Sequence, residues 1–275
     1  MSEPARRRHA SPRAALAVTI LAVLALMALF PRLFTRDDPE ECLLSNSLEP
    51  PSAGHLFGHD LQGCDMLAVT VYGARTSLLV AVLVILGTSA VAIVLGSLSG
   101  WFGGRVDAML SRLTEVWAGI PLALGGIVVL SASERRGPLQ MALVLALFSW
   151  PPMARVLRTS VLAERDRDHV LAARALGAST LRVLRRHVLP GSVRPLLVLA
   201  STYAGVVVAA EATLTFAGAG LARPTQSWGL QLADAEGRLA QAPHLLIPGL
   251  FVVAAVAGFV LLGEELRERG GRPTH

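Results

Sequence analysis

The sequence predicts an all-α integral membrane protein with about six transmembrane helices, and three observations predict it. The 275-residue chain is 53% hydrophobic and only 16% charged, with a mean hydropathy of +0.54, whereas a soluble domain carries nearer a quarter charged residues. Its apolar residues gather into about six runs of roughly 17–25 residues, each long enough to cross a bilayer core as a helix. Its basic residues are asymmetric: with the N-terminus inside, 18 of the 25 fall on segments facing the cytoplasm, the sense of the positive-inside bias. All 25 are Arg. Without Lys there is no P-loop Lys to reach a phosphate and no amine for a Schiff base.

The elements follow in order. Residues 1–34 hold "ARRRHASPR", with Arg6, Arg7 and Arg8, and a first span from Ala14 to Phe30. That run is long for a signal-peptide core and "LMALFPRLF" offers no small-x-small cleavage site, so a retained anchor helix is expected. Residues 35–75 are polar and acidic (Asp37, Asp38, Glu40, Glu41, Glu49, Asp60, Asp65) and read as an extracytoplasmic loop with at most one short helix. Cys42 and Cys64, the two cysteines of the chain, share this segment. An oxidising compartment permits a disulfide between them, and two unpaired thiols are the alternative.

The core, 76–263, reads as five further spans: Thr76–Gly100, Ala108–Leu130, Leu139–Leu157, Pro195–Phe216 and His244–Gly263. Gly119 and Pro121 are expected to kink the second of these, and Pro151 and Pro152 to kink or break the third. Residues 264–275 form a polar tail with Arg267, Arg269 and Arg272. An even number of spans places both termini in the cytoplasm.

One polar stretch within the core stands out: "DHVLAARALGASTLRVLRRHVLP", Asp168 to Pro190. Val170–Leu176 reads as a short helix with a small-residue face of Ala172, Ala173 and Ala175. Gly177 suits the left-handed conformation that ends a helix, Ser179 or Thr180 suits the cap of the next, and a second helix, Leu181–Leu189, is expected to stop at Pro190. An interfacial helix whose arginines face anionic lipid is the plainer alternative. A chain tethered to the membrane on both sides of this stretch is not expected to bind nucleic acid.

"AARALGAS" followed by "RHVLP" resembles the EAA loop of bacterial ABC importer permeases, here within 158–194. The usual Glu-Ala-Ala is Leu171-Ala172-Ala173, and the Asn that commonly follows the Pro is Gly191. "FGHDLQGCD", "YGARTSLLV", "GWFGGRVD", "EATLTFAGAG", "PTQSWGLQLADA" and "LLGEELRE" are similar to further segments of the peptide and nickel permeases, with His59 for a Thr and Cys64 for an Arg. The resemblance runs from about His55 to Glu268, and one anchor helix before a loop resembles the C-type member of a permease pair.

It implies a type I ABC importer permease fold, with Asp168, Leu171, Ala172, Ala173, Arg174, Ala175, Leu176 and Gly177 as a cytoplasmic coupling helix gripped by an ATPase. It further implies a second homologous permease, two ATPase subunits that carry ATP and Mg²⁺, an extracytoplasmic solute-binding protein, and a place in the bacterial plasma (inner) membrane. The solute would be a dipeptide or oligopeptide, with nickel or another small solute as the alternative. This chain itself would bind no cofactor.

Individual residues add little chemistry. Glu211, an ionisable group inside a span, and Thr215 are candidates for lining a solute path or gate, or for shaping the exit loop. Gly96, Gly100 and Gly104 recur every four residues; packing is expected mainly at Gly96, with the other two in a turn. Arg112 and Glu115 have the spacing of a helical ion pair. His169 and His187 lack Cys or carboxylate partners at metal-ligand spacing, so no metal site is expected. "GSLSG" has Leu98 where a nucleophile elbow needs Ser, and there is no HExxH, so no catalytic residue is expected. A stand-alone secondary transporter or channel would show repeats and a chain of intramembrane charges; Glu211 alone argues against one.

Overall fold

A computed structural model describes residues 12–133 and 136–270. Arg6, Arg7, Arg8 and Arg272, used in assigning the cytoplasmic side, lie outside the described residues. Among those described there is no β-strand, and there are ten α-helices with short 3₁₀ or π segments in the α1–α2, α7–α8 and α9–α10 connections. They are α1 (Pro12–Leu29), α2 (Met66–Phe102), α3 (Gly104–Ala118), α4 (Leu122–Ser131), α5 (Pro138–Arg165), α6 (Asp168–Ala175), α7 (Thr180–Val183), α8 (Leu189–Phe216), α9 (Trp228–Asp234) and α10 (Ile247–Gly270). Five helical stretches are long and apolar enough to span a membrane, and a sixth span results if α3 and α4 count as one broken element.

The second span begins at Met66, ten residues before the expected Thr76, so the preceding loop is 35–65 rather than 35–75. Asp65 starts it by accepting the Ala68 N–H at 2.8 Å, an N-cap that satisfies one of the helix's free donors. The extra turns stay helical because they are buried against α9: the Trp228 indole N–H donates to the Thr70 carbonyl at 3.0 Å.

Prolines break the chain less than expected. α5 runs through Pro151 and Pro152 to Arg165 rather than ending at Leu157. Pro151 cannot donate to the Leu147 carbonyl four residues back, and the Trp117 side chain of α3 supplies the missing donor at 2.6 Å. Pro190 does not end a helix either. A π turn at Leu184–Val188 joins α7 to α8, and Pro190 sits in the first turn of α8, where no N–H is needed. Gly119–Pro121 does more than kink its span: α3 and α4 meet at 77°.

α2 and α5 run parallel along the centre. An added Cβ would meet Ala146 from Gly87, Ala154 and Leu157 from Gly96, and Arg158 and Val161 from Gly100, so contact positions rise together along both helices. Gly100 lies inside α2, so close packing applies to it as well as to Gly96, unlike the turn expected there. α8 packs on this pair and on α10, and α1 lies against α10 and α2. The core holds Val71, Val84, Met141, Leu145, Val208 and Leu214, while Leu79, Leu86, Leu143 and Val253 point outward as a lipid-facing surface would.

Candidate coupling surface

The stretch after α5 folds as a short platform. Val170 is buried with Leu157, Val161, Val183 and Val188, while Asp168, Leu171, Ala172, Arg174, Ala175, Leu176 and Gly177 are exposed and Ala173 is half-buried. Gly177 has φ +79°. Its N–H donates to the Arg174 carbonyl at 3.0 Å and the Ala178 N–H to the Ala173 carbonyl at 3.2 Å, the paired bonds of a Schellman helix end. Ser179 stands at the start of α7, but its side chain makes no capping bond there, nor does Thr180, the first residue of that helix. Leu176, 89% exposed, forms the tip.

Ion pairs and a cation–ring contact fix this platform to the long helices. Glu164, at the end of α5, pairs with Arg167 at 3.2 Å and His169 at 3.6 Å. A Cβ on Gly191 would lie 2.8 Å from the Glu164 carboxyl, so the residue that departs from the usual Asn makes room for this group. Arg165 donates to the Gly100 carbonyl at 2.9 Å, and the Arg174 guanidinium stacks 5.6 Å from the Trp101 ring centre. Deeper, Arg158 of α5 binds Asp107 of α3 through two bonds of 2.5 and 2.6 Å, and Ser99 of α2 donates to the same carboxylate. Contacts thus run without a break from α6 through α5 and α2 to α3. The exposed tip is a small apolar knob of Leu171, Ala172, Ala175 and Leu176 flanked by Arg174.

At the other end of α2, Glu211 is fully buried. Ser77 donates to one of its oxygens at 2.9 Å and Thr215 to the other at 3.0 Å. The same network continues through the Trp228 N–H to Ser77, and through Thr70 and Val69 to Gln231. Glu211 and Thr215 are thus enclosed between α2, α8 and α9.

The loop above them is tied down. Cys42 and Cys64 form a disulfide. Asp60 accepts N–H groups of Gln62 and Cys64, and burial pushes its carboxyl above the ordinary range against these bonds and the field of Arg223. Arg223 donates to Gln62 at 3.0 Å and pairs with Asp234, and the His244 ring meets the His59 carbonyl at 3.0 Å.

Arg112 and Glu115 pair at 3.1 Å on an exposed face. His169 and His187 have ring centres 6.4 Å apart, with His169 half-exposed. The Arg158–Asp107 pair has no signature in the sequence, because partners 51 residues apart leave no spacing to detect; Glu164 and Arg167 do have the i,i+3 spacing of a helical pair.

Residues 92–264 match the profile of the binding-protein-dependent transport system inner membrane component. The chain belongs to this family. The permease is 30% identical to the oligopeptide transport system permease protein OppC of Bacillus subtilis, over 95% of this chain and 86% of that one. It is 33% identical to the dipeptide transport system permease protein DppC of Alkalihalophilus pseudofirmus, over 90% and 82% of the two chains. Its fold is similar to that of the MetNI methionine ABC transporter in an inward-facing conformation, with TM-score 0.61 and 18% identity over 75% of this chain and 98% of that one. The permease thus has the type I ABC importer permease fold and is a multi-pass inner-membrane subunit, not an enzyme.

Proposed function

We propose that this permease carries dipeptides or oligopeptides across the membrane together with a second homologous permease. Two ATPase subunits holding ATP and Mg²⁺ drive the pair through α6, and a solute-binding protein delivers solute at the loop end. Both termini are cytoplasmic in this reading. Closure of the ATPases moves α6, and the platform passes the movement to α2, α3 and α5, switching the pair between two states. The outer segments, 35–65 and 218–243, dock the binding protein. Peptides are favoured because relatives covering most of the chain carry oligopeptide and dipeptide names.

The observation that carries the reading is the exposed Leu176–Gly177 tip on a base held by Val170, Glu164 and Arg174. A leucine buried in a partner's groove contributes about 1.5–3 kcal/mol, which is roughly 10- to 150-fold in affinity. Leu176→Glu should therefore abolish co-purification of the ATPase from native membranes in mild detergent while leaving the second permease bound. Mass spectrometry of the eluate identifies each partner, and the co-eluting binding protein is then screened with peptides and with nickel. An ATPase retained at parental levels by Leu176→Glu, or a parent chain that elutes alone, sinks the reading in favour of a self-sufficient transporter.

A further inference from the structure

The loop joining α1 to α2 brings together residues far apart in sequence. Asp37 follows the first span, His55 lies mid-loop and Asp65 caps α2; one ligand atom from each lies within 4.8 Å of the other two. His55 Nδ1 and Asp65 Oδ2 are 2.8 Å apart. The other Asp65 oxygen is engaged by the Ala68 N–H, so Oδ2, now bonded to His55, is the oxygen an ion would take. These groups line a cavity of about 520 Å³ together with Asp38, Glu41 and His59.

His59 lines the same cavity. It is 3% exposed, its Nδ1 has no hydrogen-bond partner, and its ring centre lies 4.2 Å from that of His55. The nearest acid to that nitrogen is the Glu49 carboxylate at 3.6 Å, beyond hydrogen-bonding range. A buried imidazole nitrogen left without a partner costs free energy and calls for a missing one, water or ion.

We propose that this cluster is a site for one divalent cation of zinc type, held by Asp37, His55 and Asp65 with His59 beside them. Imidazole plus carboxylate is a donor set zinc accepts. Calcium needs six to eight oxygens, more than the cluster presents. Soft ions that demand thiolate are disfavoured, because both cysteines are consumed in the disulfide. At ligand distances of about 2.1 Å the donor atoms of a tetrahedral site stand roughly 3.4 Å apart. The His55–Asp65 pair, now 2.8 Å apart, must open by roughly half an ångström to reach that spacing, while Asp37, the exposed member, closes the remaining gap of at most 4.8 Å. The surrounding carboxylates of Asp38 and Glu41 raise the local cation concentration. The bound ion clasps the end of the first span to the start of α2, alongside the Cys42–Cys64 bond. Spacing near His169 and His187 gave no hint of this set, since its members converge only through the fold of the loop.

The competing account is that His55 only braces the Asp65 cap, in which case Asp37 contributes nothing. The test uses the full chain in lipid nanodiscs, stripped with chelator and titrated with Zn²⁺ against a chromophoric zinc indicator. One saturable zinc per chain is expected, weakened about tenfold or more by Asp37→Asn and by His55→Gln, and unchanged in the double variant His169→Gln/His187→Gln. Because Asp37 is exposed, its variant keeps the fold and decides the matter even if His55→Gln does not. No saturable binding overturns the proposal. So does binding unaffected by Asp37→Asn, binding lost with His169 and His187, or displacement by equimolar Ca²⁺, which would mark a diffuse acidic field.

Discussion

The bond between Arg158 and Asp107 is the clearest case of one residue deciding how three helices sit together. Its two parallel hydrogen bonds have the fork geometry that makes guanidinium–carboxylate pairs strong, and Ser99 adds a third contact from α2. Both side chains are partly screened from water, with 30% and 21% exposure. Asp107→Ala should then cost about 1–3 kcal/mol, between the ~0–1 of an exposed pair and the ~3–5 of a buried one broken on one side. Thermal unfolding in detergent reads the loss, and Arg158→Leu added to Asp107→Ala should restore part of it by removing the unpaired charge. A midpoint unmoved by Asp107→Ala would mean that the pair is incidental. None of this was visible in "GWFGGRVD". What the sequence did expose at the site were residues whose type is constrained by backbone or by spacing: Gly177 in its left-handed turn, the alanine face of α6, and Arg112 with Glu115. Glu164 and Arg167 have the same local spacing as Arg112 and Glu115, whereas Gly191 and Trp101 depend on three-dimensional neighbours and left no local trace.

Among the elements, the parallel packing of α2 on α5 depends on two glycines. A Cβ at Gly96 would stand 2.8 Å from the Ala154 carbonyl oxygen, and one at Gly100 would stand 2.8 Å from that of Arg158. Both obstacles are backbone, so the helices must separate to admit a methyl group. Gly96→Ala and Gly100→Ala should each destabilise by about 1–3 kcal/mol, whereas Gly137→Ala, with open space around it, should stay within about 0.5 kcal/mol. Equal thermal midpoints for all three variants would contradict this packing. Long apolar runs made the spans legible. The errors lay where a single residue's propensity was overruled from elsewhere: Trp117 replaces the donor lost at Pro151, the π turn carries the chain past Pro190, and α9 holds residues 66–75 in a helix that composition alone assigns to a loop.

The whole molecule has a polarity that the parallel run of α2 and α5 dictates. Two consecutive long helices pointing the same way require the chain between them to return across the full thickness. The return path is α3 and α4, although the ten residues of α4 cover only about 15 Å at 1.5 Å per residue, half of a ~30 Å hydrocarbon core. In the proposed arrangement the bent pair counts as a crossing despite its 77° break, which makes six crossings with both termini on one side. The disulfide-bonded loop and α6 then lie at opposite ends of α2, whose 37 residues extend about 55 Å, and the proposed orientation, with the α6 end inward, is the one the positive-inside bias favours. The native cysteines are bonded to each other and the chain has no third, so an introduced thiol is the one free label. Leu56→Cys in the loop and Leu176→Cys at the coupling tip, both at exposed positions, report the two ends. A membrane-impermeant maleimide should label Leu56→Cys in intact cells, with the outer wall removed as a barrier, and Leu176→Cys only after the membrane is opened. If both label from outside, α3 and α4 do not cross and α2 and α5 cannot be parallel. If the pattern is reversed, the tip faces away from any cytoplasmic ATPase and the coupling reading fails with it.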